Sequence, residues 1–337
     1  MTFAELLESI AQDIRNGFIS VIQDVSDNAI LKQLIDAIEA GDYELVWRLL
    51  GIMPGSFRPL TRAIEDAFER SAQWVAESYP KILNTPDGKG VFRFDVRNPR
   101  AEQWLRNESS NLVAGITEDA RVSVRSALET GMRAGRGPRN TALDIIGRYD
   151  RQAGHRVGGV IGLTPTQQYW VSSTRRQLET LDPRYLTRKL RDKRFDSVVL
   201  AAIEDGKPLT KEYVDKLVIR YADITLKHRG DTIARTESVG AFAAADYEST
   251  KQVVEMGAAR EKDVEREWDT ASDMRVRHTH SKMEGQKVGL NEPFISPSGA
   301  RLMHPHDRSL GAPSEEIIDC RCRVKTVIDW IGAAIND

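Results

Sequence analysis

The sequence predicts a mainly α protein, with extended helical N-terminal and middle regions followed by a small α+β C-terminal domain. Three observations carry this. Apolar residues recur at helical spacing from residue 3 to about 256. Gly and Pro punctuate that pattern at intervals of one helix length. After Gly257 the pattern gives way to short apolar-polar alternations and a stretch rich in Gly, Pro, Asn and Ser. Composition divides the chain further, into a helical domain over 1–96, a basic helical region over 97–229 and the α+β domain over 230–337.

The elements follow in order. Phe3, Leu6, Leu7, Ile10 and Ile14 form one helical stripe, and Ile30, Leu31, Leu34, Ile35 and Ile38 a second. Gly41-Asp42 separates these from a third at Leu45, Val46, Leu49 and Leu50. A longer helix is predicted over 58–78, stopped by Pro80. Residues 84–99 read as a loop, with a short strand at 91–94. Leu112, Ile116, Ala120, Val124, Leu128 and Met132 recur every four residues on a long helix over 100–133. A short helix is expected over 141–149, and the glycine-rich segment 153–163 reads as a linker. Thr164-Pro165-Thr166-Gln167 has the form of a capping box with Pro at the first helical position. A long helix is expected over 211–256, and strands over 264–268 and 324–328.

Bulk properties limit the function. No apolar run approaches the 18 or so residues of a membrane span. The first residues lack the basic start and apolar core of a signal peptide. Cys320 and Cys322 are the only cysteines, too few for a disulfide framework, and a reducing compartment is the natural setting. The net charge of -2 hides an asymmetry: residues 1–96 hold 9 basic and 15 acidic residues, 97–194 hold 19 and 10, and 195–337 hold 20 and 25. A basic block between acidic segments can attract phosphate. Its densest part supplies the candidate DNA contacts Arg184, Arg188, Lys189, Arg191, Lys193 and Arg194. The bland alternative is a solvated helical surface whose arginines pair with carboxylates.

Polar chemistry gathers near the end of the chain. His278, His280, His304 and His306 precede Cys320-Arg321-Cys322. Thiolate and imidazole are the donors of tetrahedral zinc, so a four-ligand set would be His280, one of His304 and His306, Cys320 and Cys322, with His304 taken as the histidine. The spacing is not that of a standard zinc knuckle, and the alternative is histidines hydrogen-bonded in a loop beside small buried thiols. A cysteine–histidine hydrolase would use the same groups. Arg235, Glu265 and Glu267 admit an ADP-ribosyltransferase-like reading, against intramolecular ion pairs. No catalytic residue is assigned. Asp273, Arg275, Arg277, Asp307 and Arg321 are expected to form a buried arginine–carboxylate network that pins the irregular loops.

The order of these residues carries a resemblance. Ile233-Ala234-Arg235-Thr236-Glu237, then Ala244-Ala245-Asp246-Tyr247 and Gly257, lead into Trp268, Asp273, Arg275, Arg277 and His280. Gly285, Pro293-Phe294, Pro305 and Asp307 follow, and Cys320-Arg321-Cys322 closes the run. This resembles the phage Mu protein F-like minor head (head morphogenesis) proteins over about residues 230–325, and Asn111-Leu112-Val113 through Ile116-Thr117 resembles their helical part. Asp319 stands where that family has Asn. The resemblance implies a low-copy virion protein of a tailed phage at the portal vertex, with roles in DNA packaging or ejection. Its partners would be the portal protein, the major capsid protein, or both, together with nonspecific phage DNA. It carries over His280, Asp273, Asp307, Cys320 and Cys322, but not His278, His304 or His306.

Overall fold

The computed structural model describes residues 1–331 and is mainly helical, as the periodicity predicts. The helices are α1 (Phe3–Asn28), α2 (Leu31–Glu39), α3 (Tyr43–Leu50), α4 (Arg58–Ser78), α5 (Pro99–Arg133), α6 (Pro138–Ile146), α7 (Pro165–Glu179), α8 (Asp196–Asp205), α9 (Lys211–Glu255), α10 (His278–Ser281) and α11 (Ser314–Ile317). The strands are β1 (Leu83–Thr85), β2 (Gly88–Gly90), β3 (Arg148–Asp150), β4 (His155–Val157), β5 (Val264–Asp269), β6 (Lys287–Gly289), β7 (Phe294–Ile295), β8 (Arg301–Leu302) and β9 (Arg323–Ile328).

Packing divides the chain into two units, each discontinuous in sequence. Among the described residues one comprises 1–17, 60–109 and 231–331, and the other 18–59 and 110–230. These are not the three consecutive segments that composition suggests. The chain passes from one unit to the other within α1, α5 and α9 and in the first turn of α4, and the continuous stripes of these helices give no sign of the change.

In the first unit, Leu6, Ile10 and Ile14 of α1 and Leu60, Ile64 and Phe68 of α4 are buried. Phe3, Trp74 and Phe242 form an aromatic cluster, with centroids 4.7–5.8 Å apart. The C-terminal module has its own small core of Trp268, Met283, Phe294, Leu302, Cys320 and Cys322. Its antiparallel sheet has the order β6-β5-β9, with Trp268 opposite Val324 and Arg266 opposite Thr326. Strand alternation places Val264, Arg266 and Trp268 on one buried face. The predicted strands at 264–268 and 324–328 are both present. The one predicted at 91–94 is not, because the hairpin forms earlier, as β1 and β2 around the Pro86-Asp87 turn.

In the second unit the capping box is formed: Thr164 Oγ1 accepts from Gln167 N, and Gln167 Oε1 accepts from Thr164 N. Helix α6 starts at Pro138 and stops at Gly147, so Tyr149 lies in β3 and not in the helix. The glycine-rich segment is no linker. Val160, Ile161 and Leu163 are buried. Ser123 donates to Leu163 O, and Arg229 to Gly162 O at 2.8 Å. Gly158 has φ +71°, and a Cβ there would meet Ile219 at 2.5–2.8 Å. Glycine serves here for close approach and backbone hand, not for flexibility.

Candidate functional site

The C-terminal module brings one cluster of soft donors together. Strand β5 places Trp268 inward, and its ring meets that of His280 on α10 edge-on at 5.3 Å. The chain returns through α11 and reverses at Asp319, whose φ is +60°. Asn and Asp are the non-glycine residues that best tolerate this left-handed conformation, which fits an Asp where the resembled family has Asn. The turn delivers Cys320, and Cys322 follows directly before β9. Both thiols are free and buried. His280 Nδ1 lies 3.3 Å from Cys320 Sγ and 3.5 Å from Cys322 Sγ.

The other ring nitrogen of His280, Nε2, lies 2.8 Å from Glu316 Oε2. Glu316 is buried and also accepts from Ser298 at 2.6 Å and Thr279 at 3.0 Å. Burial would raise its pKa, but the hydrogen bonds from Ser298 and Thr279 and the neighbouring His280 outweigh it and hold the carboxyl below its ordinary range. The two thiols split in the same way. The contact with Cys322, then the neighbouring His280 and His306, draw Cys320 strongly downward against burial, while the contact with Cys320 and burial push Cys322 up.

The remaining candidates are placed as follows. His304 is buried away from the thiols, with Nδ1 2.9 Å from Pro305 O and its ring 6.0 Å from that of Tyr247. Burial pushes its pKa down. His306 Nε2 donates to Cys320 O at 3.0 Å, so it supports the backbone of the cysteine turn. His278 is exposed. The expected metal set is therefore only partly assembled: His280, Cys320 and Cys322 converge, and His304 does not join them.

The five residues expected to make a buried network do not make one. Arg321 forms a bidentate pair with Asp273 at 2.5 and 2.7 Å, and both are substantially exposed. Arg277 donates to Ile318 O, while Arg275 is exposed and gives only its backbone N–H to Asp273. Asp307 is buried, but it accepts from the backbone of Met303 and Ser309 and not from an arginine. The buried arginine of the module is Arg266, which sequence reasoning missed. Its guanidinium donates to the carbonyls of Gly289, Glu292 and Met303 and lies over the rings of Tyr247 and Phe294. Its signal was its place in β5: the alternation that buries Trp268 also buries Arg266. Of the transferase-like residues, Arg235 pairs with Asp319, and Glu265 and Glu267 pair with Lys287.

The candidate DNA contacts sort into two kinds. Arg188 is half-buried, bound to Gln177 and Ser173 and set over the Tyr221 ring. Arg191 is 15% exposed and paired with Asp196. Both are committed to folding. Arg184 and Arg194 are 78% and 70% exposed, each holding an aspartate two residues before it. Lys189 and Lys193 are exposed. The second unit also contains a cleft of about 560 Å³ beside Arg136, Arg148 and Arg175. Asp144 and Asp215 pair with those arginines.

The ordered residues from the end of α9 to Cys322 thus form one folded module. Residues 193–325 match the model of the phage Mu protein F like family. The match starts before the resemblance drawn from motifs and takes in α8, α9 and the module. It supports the resemblance drawn from the motifs. No curated protein and no solved structure matches the chain. Among the described residues, no helix is long and apolar enough to cross a membrane.

Proposed function

We propose that this chain is a minor head protein of a tailed bacteriophage, acting at the portal vertex in head assembly and in DNA packaging or ejection. The family match over residues 193–325 is the observation that carries the reading. The portal protein, the major capsid protein, or both are the partners, and the virion is the location. The fold fits a protein of assembly: the polar residues of the module pair among themselves and build ordered loops.

Nonspecific DNA contact is the second part of the proposal. Arg184, Lys189, Lys193 and Arg194 are the groups that can reach phosphate. The Arg184–Asp182 pair lies at the surface, where water screens it, so a phosphate can displace the carboxylate. Arg188 and Arg191 are held too firmly to take part.

Two measurements test the proposal. Co-expression of the full chain with its portal protein should give a complex that survives purification; absence of binding to both portal and capsid proteins overturns the assembly role. For DNA, affinity is measured against salt. Each phosphate contact contributes about 0.9 to the slope of log K against log salt, so replacing all four residues by alanine should flatten it by up to about 4. An unchanged slope removes DNA contact from these residues.

A further inference from the structure

The donors around Cys320 are arranged as ligands and not merely as core. A tetrahedral zinc ion with bonds of about 2.3 Å to sulfur and about 2.05 Å to nitrogen holds those two kinds of ligand about 3.6 Å apart. His280 Nδ1 stands 3.3 and 3.5 Å from the two sulfurs, and the three donor atoms all lie within 4.8 Å of one another. All three residues are buried, from 1 to 2% exposed. Small cysteines filling a core need neither this convergence nor an imidazole nitrogen between them.

The second observation is independent of the thiols. Glu316 Oε2 stands 2.8 Å from His280 Nε2; with the ring proton on that nitrogen, the Nδ1 lone pair is turned to the sulfurs. A carboxylate on the far nitrogen is the usual partner of a metal-bound histidine, and it fixes both tautomer and ring orientation. Glu316 is itself fixed by Ser298 and Thr279.

We propose that His280 Nδ1, Cys320 Sγ and Cys322 Sγ bind one divalent cation of the zinc class, with Glu316 as the outer carboxylate that orients the histidine. The fourth position opens on a small cleft of about 10 Å³, which the three ligands line together with Arg275, Val276, Arg277, Asp319 and Arg321. A water needs roughly 10–15 Å³, so one water fits there and little else does. His304 does not fill that position, because its ring faces Pro305 O and Tyr247. The ion ties α10 to the turn before β9. This site stands whether or not the head-protein reading holds.

The test is a cobalt titration of the purified full chain, reduced and stripped with chelator. One equivalent of Co²⁺ should produce thiolate-to-cobalt charge-transfer absorption and the intense visible bands of a four-coordinate ion, and zinc should displace it. Cys320→Ser, Cys322→Ser and His280→Gln should each weaken or abolish the signal, while His304→Gln should leave it unchanged. Glu316→Gln should keep the stoichiometry and lower the affinity by about 10- to 100-fold. Absence of a thiolate-to-cobalt band in the wild-type chain overturns the proposal without recourse to any variant. Loss of binding in His304→Gln equal to that in His280→Gln overturns the assigned ligand set.

Discussion

Asp246 offers the sharpest test of the packing. It lies on α9, half-buried, and its carboxylate accepts from Thr326 Oγ1 at 2.7 Å. Burial pushes its pKa up to about 6, against the hydrogen bond from Thr326 and the charge of Arg266, which both lower it. The unfolded chain releases this proton near the ordinary value of 3.8. Between about pH 4 and 6 the folded state therefore holds a proton that the unfolded state has lost, and stability falls as pH rises through that window. Above it the cost is constant. The gap from 3.8 to about 6, at about 1.36 kcal/mol per pH decade, amounts to roughly 3 kcal/mol. Asp246→Asn removes the charge and keeps an oxygen for Thr326. Urea unfolding of both proteins at pH 7.5 and pH 4 measures the effect. The variant should be more stable at pH 7.5 by up to about 3 kcal/mol, and the difference should shrink toward zero at pH 4. A variant that is less stable at pH 7.5, or a difference that does not change with pH, refutes the reasoning.

Other substitutions probe the second unit and the buried arginines. Gly158→Ala combines a left-handed backbone with a Cβ pressed on Ile219, so it should cost several kcal/mol and show as a lowered melting temperature and a poor soluble yield. Arg229→Met strands the carbonyl of Gly162 and breaks the pair with the partly exposed Asp119, and should cost about 1–3 kcal/mol in urea unfolding. Arg266→Met leaves the carbonyls of Glu292 and Met303 without their donor, at about 1–3 kcal/mol each before relaxation. Hydrogen exchange in residues 287–303 should quicken in that variant while α4 keeps its protection.

Much of the fold could be read locally. Helical periodicity placed α4, α5 and α9 almost to the residue, because a stripe repeats every turn whatever packs against it. Thr164 and Gln167 announced their own cap, since both partners lie within one turn. The segment 153–163 misled for a physical reason: glycine looks alike whether it grants flexibility or lets backbone approach backbone, and Ile219 opposite Gly158 lies 61 residues away in the chain.

Local pattern was enough for the helical class, the switch to short strands after Gly257, and the ordered polar run that resembles the phage Mu protein F like family. Which of those polar residues meet was settled by packing. Spacing could not choose among four histidines, because ligand geometry depends on where α10, α11 and the Asp319 turn come to rest. His280 met the two cysteines, His306 took the backbone of Cys320, and His304 turned away. The sequence likewise gave the arginines but not their fates. Arg266 became the buried hub through its place on the inward face of β5, while Arg321 and Asp273 stayed near solvent, since burial belongs to the packed module and not to the residue type.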